Sequence, residues 1–346
     1  MKKKVLALFM AAAMTAGLLA GCGSETANST KDASGTGTSQ TESAGSGDAA
    51  ASGKVYRIGI CQLLEHDALG AATQGFQDAL VELLGEGNVT FDYQNAQGEQ
   101  ANCATICTQF VADDVDLILA NATASLQAAT AATNSIPILG TSITDYATAL
   151  DAANWSGSSG TNVSGTSDLA PLEEQENMLV ELFPDAKKVG ILYCSAEANS
   201  AYQAHVFEES LDEDGIAYEE YTIADSSEIQ AVVTGACQNC DVLYIPTDNT
   251  LANNTEAVNN ICLPAGVPVI AGEEGICSGC GVATLSISYY DIGYKAGEMA
   301  YDILVNGADI STMNIEYAPQ VKKEYNKEIC EQLNVTVPDD YTAIGD

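Results

Sequence analysis

Short apolar segments alternate with longer amphipathic ones along most of the chain. Residues 56–61 form an apolar run of strand length, and residues 67–84 place their apolar side chains on one face of a helix. Further predicted strands lie at residues 89–93, 115–120 and 136–139. Strands that alternate with helices of this length indicate a parallel sheet covered by helices on both faces.

The same pattern begins a second time near Lys188. Residues 188–194 match the first strand, and Gly59 precedes Phe76 by the same 17 positions that separate Gly190 from Phe207. Residues 116–123 parallel residues 241–250 in the same way. The repeat predicts an α/β protein with two similar doubly wound parallel-sheet lobes.

Three segments of small and β-forming residues connect the predicted lobes, at residues 161–166, 282–288 and 315–318. They suit a three-segment hinge. The prediction assigns residues 54–163 and 289–316 to lobe one and residues 164–288 and 317–346 to lobe two. It includes a helix at residues 289–305 that packs back on lobe one and a closing helix at residues 322–333 on lobe two.

The amino terminus resembles a secretion signal. Lys2–Lys4 precede an apolar run, so residues 1–21 are expected to be a signal peptide. Residues 19–22, Leu-Ala-Gly-Cys, resemble a bacterial lipobox, which implies cleavage before Cys22 and attachment of lipid to its sulfur. A secreted protein with a coincidental Cys is the alternative. Residues 22–53 are mostly Ser, Thr, Gly and Ala, which predicts a flexible tether and suggests a Gram-positive cell.

The charge of the chain restricts its partners. The sequence has 48 acidic and 12 basic residues, and removal of Lys2–Lys4 leaves 9 basic residues and a net charge of −39. Such a chain is not expected to bind nucleic acid or to adhere electrostatically to anionic lipid. The lipid anchor would therefore have to supply membrane attachment.

Ten cysteines follow Cys22. Four of them form two Cys-x-x-Cys pairs, Cys237/Cys240 and Cys277/Cys280, a spacing compatible with disulfides, zinc or redox chemistry. The 36 residues between the pairs exceed the usual spacing of a zinc ribbon, and an extracytoplasmic compartment permits disulfides. Disulfides and free buried thiols are favoured over metal, and we expect no metal.

From Val55 onward the chain resembles the substrate-binding lipoproteins of ABC transporters, specifically the tryptophan/tyrosine type with a type I periplasmic-binding-protein fold. The resemblance implies an extracytoplasmic, lipid-anchored monomer without a cofactor. It implies capture of a small molecule, usually an aromatic amino acid, and its delivery to an ABC permease and the permease's ATPase. Residues 276–281 differ from the usual sequence of this family because they contain two cysteines. The motifs that carry the resemblance are residues 62–66, 68–69, 92–98, 115–120, 162–165, 195–200, 246–250 and 272–275, with Tyr290, Gly293 and Gly297.

The turn after residues 242–245 is the strongest candidate for ligand contact. Thr247, Asp248 and Asn249 follow a predicted strand and open a helix, at the edge where open α/β sheets bind ligands. Asp248 is the preferred partner for a ligand ammonium group, and plain helix capping is the alternative. Other candidates in this lobe are Glu197 and Glu273 for the ammonium group, and Asn199 and Ser200 to complete the polar shell.

Lobe one offers hydroxyl and amide groups for a ligand carboxylate. The candidates are Asn121 and Thr123 after the third strand and Thr141 and Ser142 after the fourth. Glu65 and His66 are expected at the tip of the first strand, facing the same cleft, although an ordinary surface His is the competing interpretation. Candidates for walls against an aromatic ligand are Tyr146, Trp155 and Tyr193, for each of which core packing is the alternative.

Two other classes compete with a transport component. The sequence shows no Walker A motif, no Gly-x-Gly-x-x-Gly at a helix start and no Gly-x-Ser-x-Gly elbow, so an enzyme is not expected. His205 falls within a helix and is interpreted as structural. The other competing class is a lipid-anchored ligand sensor with the same fold. The alternative to an amino-acid ligand is a nucleoside or a sugar.

Overall fold

The computed structural model describes residues 53–345. The predicted signal peptide at residues 1–21, the predicted lipid-attachment residue Cys22 and the tether up to residue 52 lie outside the described residues. None of the helices within residues 53–345 combines the length and the hydropathy that a membrane crossing requires.

The described chain folds as strand–helix units, with two short 3₁₀ turns at Ser226–Glu228 and Ile310–Thr312. The strands and helices up to the first crossing are β1 (Tyr56–Gln62), α1 (Asp67–Leu84), β2 (Val89–Asn95), α2 (Gln100–Ala112), β3 (Leu117–Asn121), α3 (Thr123–Ala132), β4 (Ile138–Ile143), α4 (Tyr146–Ala149) and β5 (Val163–Ser167). Those up to the second crossing are α5 (Leu172–Leu182), β6 (Lys188–Cys194), α6 (Ala198–Asp214), β7 (Ala217–Ile223), α7 (Ile229–Asn239), β8 (Val242–Ile245), α8 (Asn249–Ala252), α9 (Thr255–Ala265), β9 (Val269–Ala271), α10 (Glu274–Cys280) and β10 (Ala283–Ser286). The remainder are α11 (Tyr289–Leu304), β11 (Glu316–Tyr317), β12 (Lys322–Tyr325), α12 (Lys327–Leu333) and β13 (Thr342–Ala343).

Two sheets with matching strand order form the two lobes. The first has the order β11-β5-β4-β3-β1-β2, and the second has the order β13-β12-β10-β9-β8-β6-β7. Counted from the first strand of each lobe, both contain the doubly wound order 2-1-3-4-5. This confirms the predicted fold class. The order reverses between β1 and β3 in lobe one and between β6 and β8 in lobe two, and ligands bind at such points in open α/β sheets.

The central strands are buried throughout because helices cover both of their faces. Every residue of β3, β4 and β8 is buried. Phe76 on α1 and Phe207 on α6, which mark the repeat in the sequence, are both completely buried. Gly59 in β1 lies against the ring of Phe110, where a Cβ atom would come within 2.6 Å of the ring. Each lobe therefore has its own core around its first strand.

Two of the three crossings between the lobes differ from the predicted boundaries in detail. Strand β5 belongs to the first sheet, so the chain leaves lobe one after Ser167 rather than after residue 163. Strand β11 pairs with β5 in the same sheet, so the last crossing follows Tyr317 rather than residue 316. In both cases, pairing with a neighbouring strand keeps a few more residues in lobe one.

The segment predicted as one closing helix is a strand followed by a short helix. Strand β12 pairs antiparallel with β10, which makes the second sheet mixed at this edge. The helix begins only at Lys327, because the side chain of Asn326 accepts a hydrogen bond from the Ile329 N–H at 3.1 Å and caps it. Its helical neighbour in sequence, α11, packs against α1 of lobe one as predicted.

Candidate functional site

The strand ends of both lobes meet at an enclosed cavity, here called the inner cavity. Its volume is about 10 Å³, close to what a single water molecule needs. Lobe one contributes His66, Leu69, Ser142 and Thr144; lobe two contributes Asn199, Thr247, Asp248, Asn249, Ala252 and Glu273; and the crossings contribute Asp168 and Tyr289.

A hydrogen bond joins the two lobes at this cavity. His66 Nε2 lies 3.2 Å from Asn249 Oδ1. The Asn249 amide nitrogen donates to Glu197 at 2.7 Å, so its oxygen faces the imidazole and Nε2 must carry the proton. Burial lowers the pKa of His66 from 6.5, which keeps the ring neutral near pH 7. The lobes are thus linked by a neutral histidine donor.

Three buried carboxyl groups line the inner cavity, and no Lys or Arg is among the residues that line it. Asp168, Asp248 and Glu273 are 4%, 1% and 3% exposed. Burial raises the pKa of Asp168 to about 6 and that of Glu273 to about 7. Burial, with a contribution from the nearby Glu197, also raises the pKa of Asp248. The cavity therefore has acidic groups that a ligand cation would stabilise in the ionised form.

Two of these three carboxyl groups are engaged within lobe two. The Asp248 oxygens accept from the N–H groups of Leu251 at 2.8 Å and Cys194 at 2.7 Å. Asp248 thereby caps α8 and ties β8 to β6. The Glu273 oxygens accept from Gly275 N–H at 2.7 Å and from the next N–H, at Ile276, and so cap α10.

Asp168 differs from the other two because one of its oxygens is free. Its Oδ2 accepts from the Tyr289 hydroxyl at 3.1 Å, while its buried Oδ1 has no hydrogen-bond partner among the described residues. Asp168 follows β5 on the first crossing and Tyr289 follows the second, so this bond links two hinge segments. A buried carboxylate oxygen without a donor is costly, and a ligand N–H group would satisfy it.

Ser142 offers a free hydroxyl in the same cavity. It has a φ of 56°, which is unusual for a residue other than glycine, and it lies where the pairing of β4 with β5 shifts register. Its Oγ is buried and has no partner among the described residues. The irregularity at the end of β4 therefore presents a hydroxyl to the cavity instead of to the sheet.

Several predicted site residues lie instead along a larger groove at the mouth between the lobes, here called the outer cleft. Its volume is about 640 Å³, and Glu65, Thr123 and Glu197 line it. Glu65 accepts from the Tyr93 hydroxyl at 2.9 Å within its own lobe. Glu197 does not reach the inner cavity: its oxygens accept from the backbone and side chains of Asn249 and Thr250 at 2.7–3.0 Å. Glu197 therefore positions the turn after β8.

Three other predicted contact residues turn away from both cavities. Asn121 is completely buried, and its amide donates to the Leu69 carbonyl at 2.8 Å and to Thr73 at 2.9 Å, which fastens α1 to β3. Thr141 accepts from Thr166 at 3.1 Å between β4 and β5. Ser200 is completely buried and lies within 3.5 Å of the Thr247 carbonyl. None of the three lines either the inner cavity or the outer cleft, because each side chain turns into its own lobe.

The predicted aromatic walls also lie elsewhere. Tyr146 is buried in the core of lobe one and stacks on Trp155 with ring centroids 6.0 Å apart. Tyr193 belongs to the core of lobe two. The aromatic residue at the inner cavity is Tyr289, which the sequence placed only as the start of a helix.

The cysteine pairs do not form a metal centre in the structure. Within residues 53–345, no group of three or more His, Cys, Asp or Glu side chains is arranged to hold a metal ion. Cys277 and Cys280 are buried in the core of lobe two, and the ten cysteines of the described chain are unbridged thiols.

Comparison with known proteins places the chain among transport components. It is 35% identical over 308 residues to a tyrosine-binding protein of Clostridioides difficile (strain R20291). The aligned region covers 87% of this chain and 84% of the relative. The structure of an ABC domain in complex with L-Trp from Streptococcus pneumonia matches with a TM-score of 0.79 at 29% identity, over 83% of this chain and 97% of the other.

A third comparison concerns a ligand-free structure. The ligand-free, open structure of a substrate-binding protein with adhesive properties from Clostridium difficile is 35% identical, covering 84% of this chain and 99% of the other, yet its TM-score is 0.65. The L-Trp complex, although lower in sequence identity, superposes better on this chain overall.

The sequence model described as ABC transporter substrate binding protein matches residues 57–344, nearly all of the described chain. Two lobes of matching topology, a cavity closed between their strand ends and this match agree with one another. The chain belongs to the family of ABC transporter substrate-binding proteins.

Proposed function

We propose that this protein captures an aromatic amino acid between its lobes and delivers it to an ABC permease. The observation that carries the proposal is the inner cavity, where the buried Asp168 has an oxygen without a partner among the described residues and no Lys or Arg lines the space. Such a cavity favours a ligand with a positive charge. The names of the tyrosine-binding relative and of the L-Trp complex support an aromatic amino acid.

Asp168 is the proposed partner of the ligand ammonium group. Its Oδ1 is buried without a partner among the described residues, whereas both oxygens of Asp248 and of Glu273 accept backbone N–H groups. An ammonium group would donate to Oδ1 in a charge-assisted hydrogen bond. The sequence-based preference for Asp248 is thereby replaced by Asp168, and Asp248 serves to shape the turn.

Ser142 is the proposed donor to the ligand carboxylate. Its hydroxyl is buried, unpaired among the described residues and close to the end of β4. Asp248 and Glu273 would repel a carboxylate if both were ionised, but burial raises the pKa of each and favours the neutral form. Leu69, Ala252 and the ring of Tyr289 supply apolar surface for the ligand side chain.

Binding requires that the lobes separate and the lining side chains move. A cavity of about 10 Å³ admits no amino acid. The outer cleft shares Asn199 with the inner cavity and gives a route between the lobes. Entry through this route, followed by closure with the His66–Asn249 bond re-formed, is the expected cycle.

Attachment to the membrane through Cys22 is part of the proposal. Substrate-binding proteins of ABC transporters are extracytoplasmic. The lipobox-like residues 19–22 and the polar tether that follows would hold the lobes near the permease. Labelled palmitate should be incorporated by the wild-type protein and not by Cys22→Ala.

Titration calorimetry of the mature chain tests the proposed ligand class. The panel contains the common amino acids, nucleosides and monosaccharides. Saturable heat is expected with tyrosine, tryptophan or phenylalanine. Heat seen only with a sugar or a nucleoside would overturn the amino-acid proposal and leave the family membership intact.

A further inference from the structure

Cys237 differs from the other described cysteines in its exposure. The other nine are buried, several of them completely, whereas Cys237 on α7 is only half-buried. A thiol must be reachable to react with a molecule from solution. Among these cysteines, Cys237 is therefore the thiol most accessible for reaction with a molecule from solution.

A second thiol stands directly behind Cys237. The Sγ atom of Cys262, on the neighbouring helix α9, lies 3.6 Å from the Sγ atom of Cys237. Cys262 is 2% exposed, so it is shielded from solvent but adjacent to its partner. The Cys-x-x-Cys neighbour Cys240 is directed elsewhere, with its sulfur 3.8 Å from the Tyr221 hydroxyl. The fold has thus paired Cys237 with a cysteine 25 positions away rather than with the one three positions away.

The two thiols are also unequal in acidity. The contact between the two sulfurs lowers the pKa of Cys237. That same contact, with burial, raises the pKa of Cys262. The exposed sulfur is therefore the one that ionises first, and the buried sulfur keeps its proton until a later step.

We propose that Cys237 and Cys262 are a redox-active pair that forms a disulfide between α7 and α9. The oxidant is a second disulfide, either a small molecule or a protein. The Cys237 thiolate attacks one sulfur of that disulfide and expels the other as a thiolate. Cys262 then loses its proton, and its sulfur attacks Cys237 and expels the second thiolate. Two protein thiols are oxidised, one external disulfide is reduced to two thiols, and the protons pass to the expelled sulfurs.

The geometry suits this reaction. The two sulfurs need to approach by only about 1.5 Å to reach bonding distance. Substrate-binding proteins of ABC transporters are extracytoplasmic, a setting in which disulfides persist. The closed loop from 237 to 262 contains β8 and the turn with Asp248 and Asn249. The disulfide would therefore stabilise the segment that forms the lobe-two wall of the inner cavity.

Peptide mapping of the full mature chain tests the pair. The protein is incubated with oxidised glutathione, its free thiols are blocked without reduction, and linked peptides are identified by mass spectrometry. A Cys237–Cys262 peptide about 2 Da lighter than the sum of its parts is expected. A Cys237–Cys240 link, a stable glutathione adduct on Cys237 or the absence of any link would overturn the proposal.

Two variants and a melting experiment complete the test. The oxidised wild-type protein should melt several degrees above the reduced protein, because the disulfide restricts the unfolded chain. Cys237→Ala should lose this difference, and Cys240→Ala, the matched control on the same helix end, should keep it. Equal melting temperatures for oxidised and reduced wild type, or loss of the difference in Cys240→Ala alone, would contradict the assignment.

Discussion

Replacement of Asp168 by Asn should weaken ligand binding and at the same time stabilise the protein. The Asn side chain keeps an oxygen that can accept a hydrogen bond from the Tyr289 hydroxyl. It removes the negative charge of the carboxylate whose Oδ1 has no partner among the described residues. The two effects have opposite signs because the charge serves the ligand and not the fold.

The gain in stability follows from the pKa of Asp168. Burial raises this pKa from 3.8 to about 6, so the folded protein favours the neutral carboxyl group. The shift corresponds to about 3 kcal/mol at about 1.4 kcal/mol per pKa unit. This destabilisation is absent well below pH 3.8, develops as the pH rises and is complete above about pH 6. Without added ligand, Asp168→Asn should therefore raise the melting temperature by several degrees at pH 7.5, and by much less near pH 4.

The loss of binding follows from the charge pair. Removal of one partner of a buried, hydrogen-bonded charge pair weakens binding by about 2–5 kcal/mol. The dissociation constant for tyrosine should therefore rise at least roughly thirtyfold. Calorimetry at pH 7.5 measures this change, and scanning calorimetry of the same samples measures stability.

Glu174→Gln is the matched control for both measurements. Glu174 is an exposed acid at the start of α5, so its removal changes the net charge equally but should leave affinity and stability nearly unchanged. The reasoning is refuted if Asp168→Asn binds tyrosine as tightly as the wild-type protein, or if it is the less stable protein at pH 7.5.

Three further predictions concern pH, closure and packing. Affinity should fall about tenfold between pH 7 and pH 5, because Asp168, with a pKa of about 6, becomes protonated over this range; a flat profile by calorimetry would exclude Asp168 as the ionised partner. His66→Ala removes the hydrogen bond between the lobes and should weaken binding by about 0.5–1.5 kcal/mol, chiefly through faster dissociation measured by stopped flow. Gly293→Ala should destabilise the protein by about 1–3 kcal/mol, because its Cβ would collide with the Ala72 main chain, whereas Gly70→Ala, in open space on α1, should be neutral or stabilising by up to about 1 kcal/mol. Equal melting temperatures for these two glycine variants would contradict the packing of α1 on α11.

The fold could be predicted from the sequence because its signals are local and repeated. Buried strands appear as apolar runs, and Gly59 with Phe76 recurs as Gly190 with Phe207. The prediction is wrong at residues 322–325, where the sequence Lys-Lys-Glu-Tyr suggests a helix. Here pairing with β10 decides the conformation, which is information that no local pattern contains.

The site was only partly predictable. The sequence placed Asp248, Asn249 and Glu273 at the ends of their strands, and all three line the inner cavity. It also selected Asn121 and Thr141, which turn into lobe one. The direction of a side chain at a strand end depends on how the strand terminates, and composition does not reveal this.

Asp168 and Tyr289 were missed for a different reason. Both lie just outside the segments that the sequence indicates as crossings, since Asp168 follows residues 161–166 and Tyr289 is placed only as the start of a helix. They reach the inner cavity because the lobes close around them, an arrangement set by contacts between residues 121 positions apart. The signal that was available is a single Asp beside small residues and an apolar run, which stands out only once its burial is known.

The most direct test of the central claim compares tyrosine with 3-(4-hydroxyphenyl)propionate, which lacks only the amino group. Both are titrated into the mature wild-type chain by calorimetry at pH 7.5. If the buried carboxyl groups of the inner cavity select a ligand ammonium group through Asp168, tyrosine binds and the deaminated compound gives no saturable heat. Equal affinity for the two compounds would contradict the account.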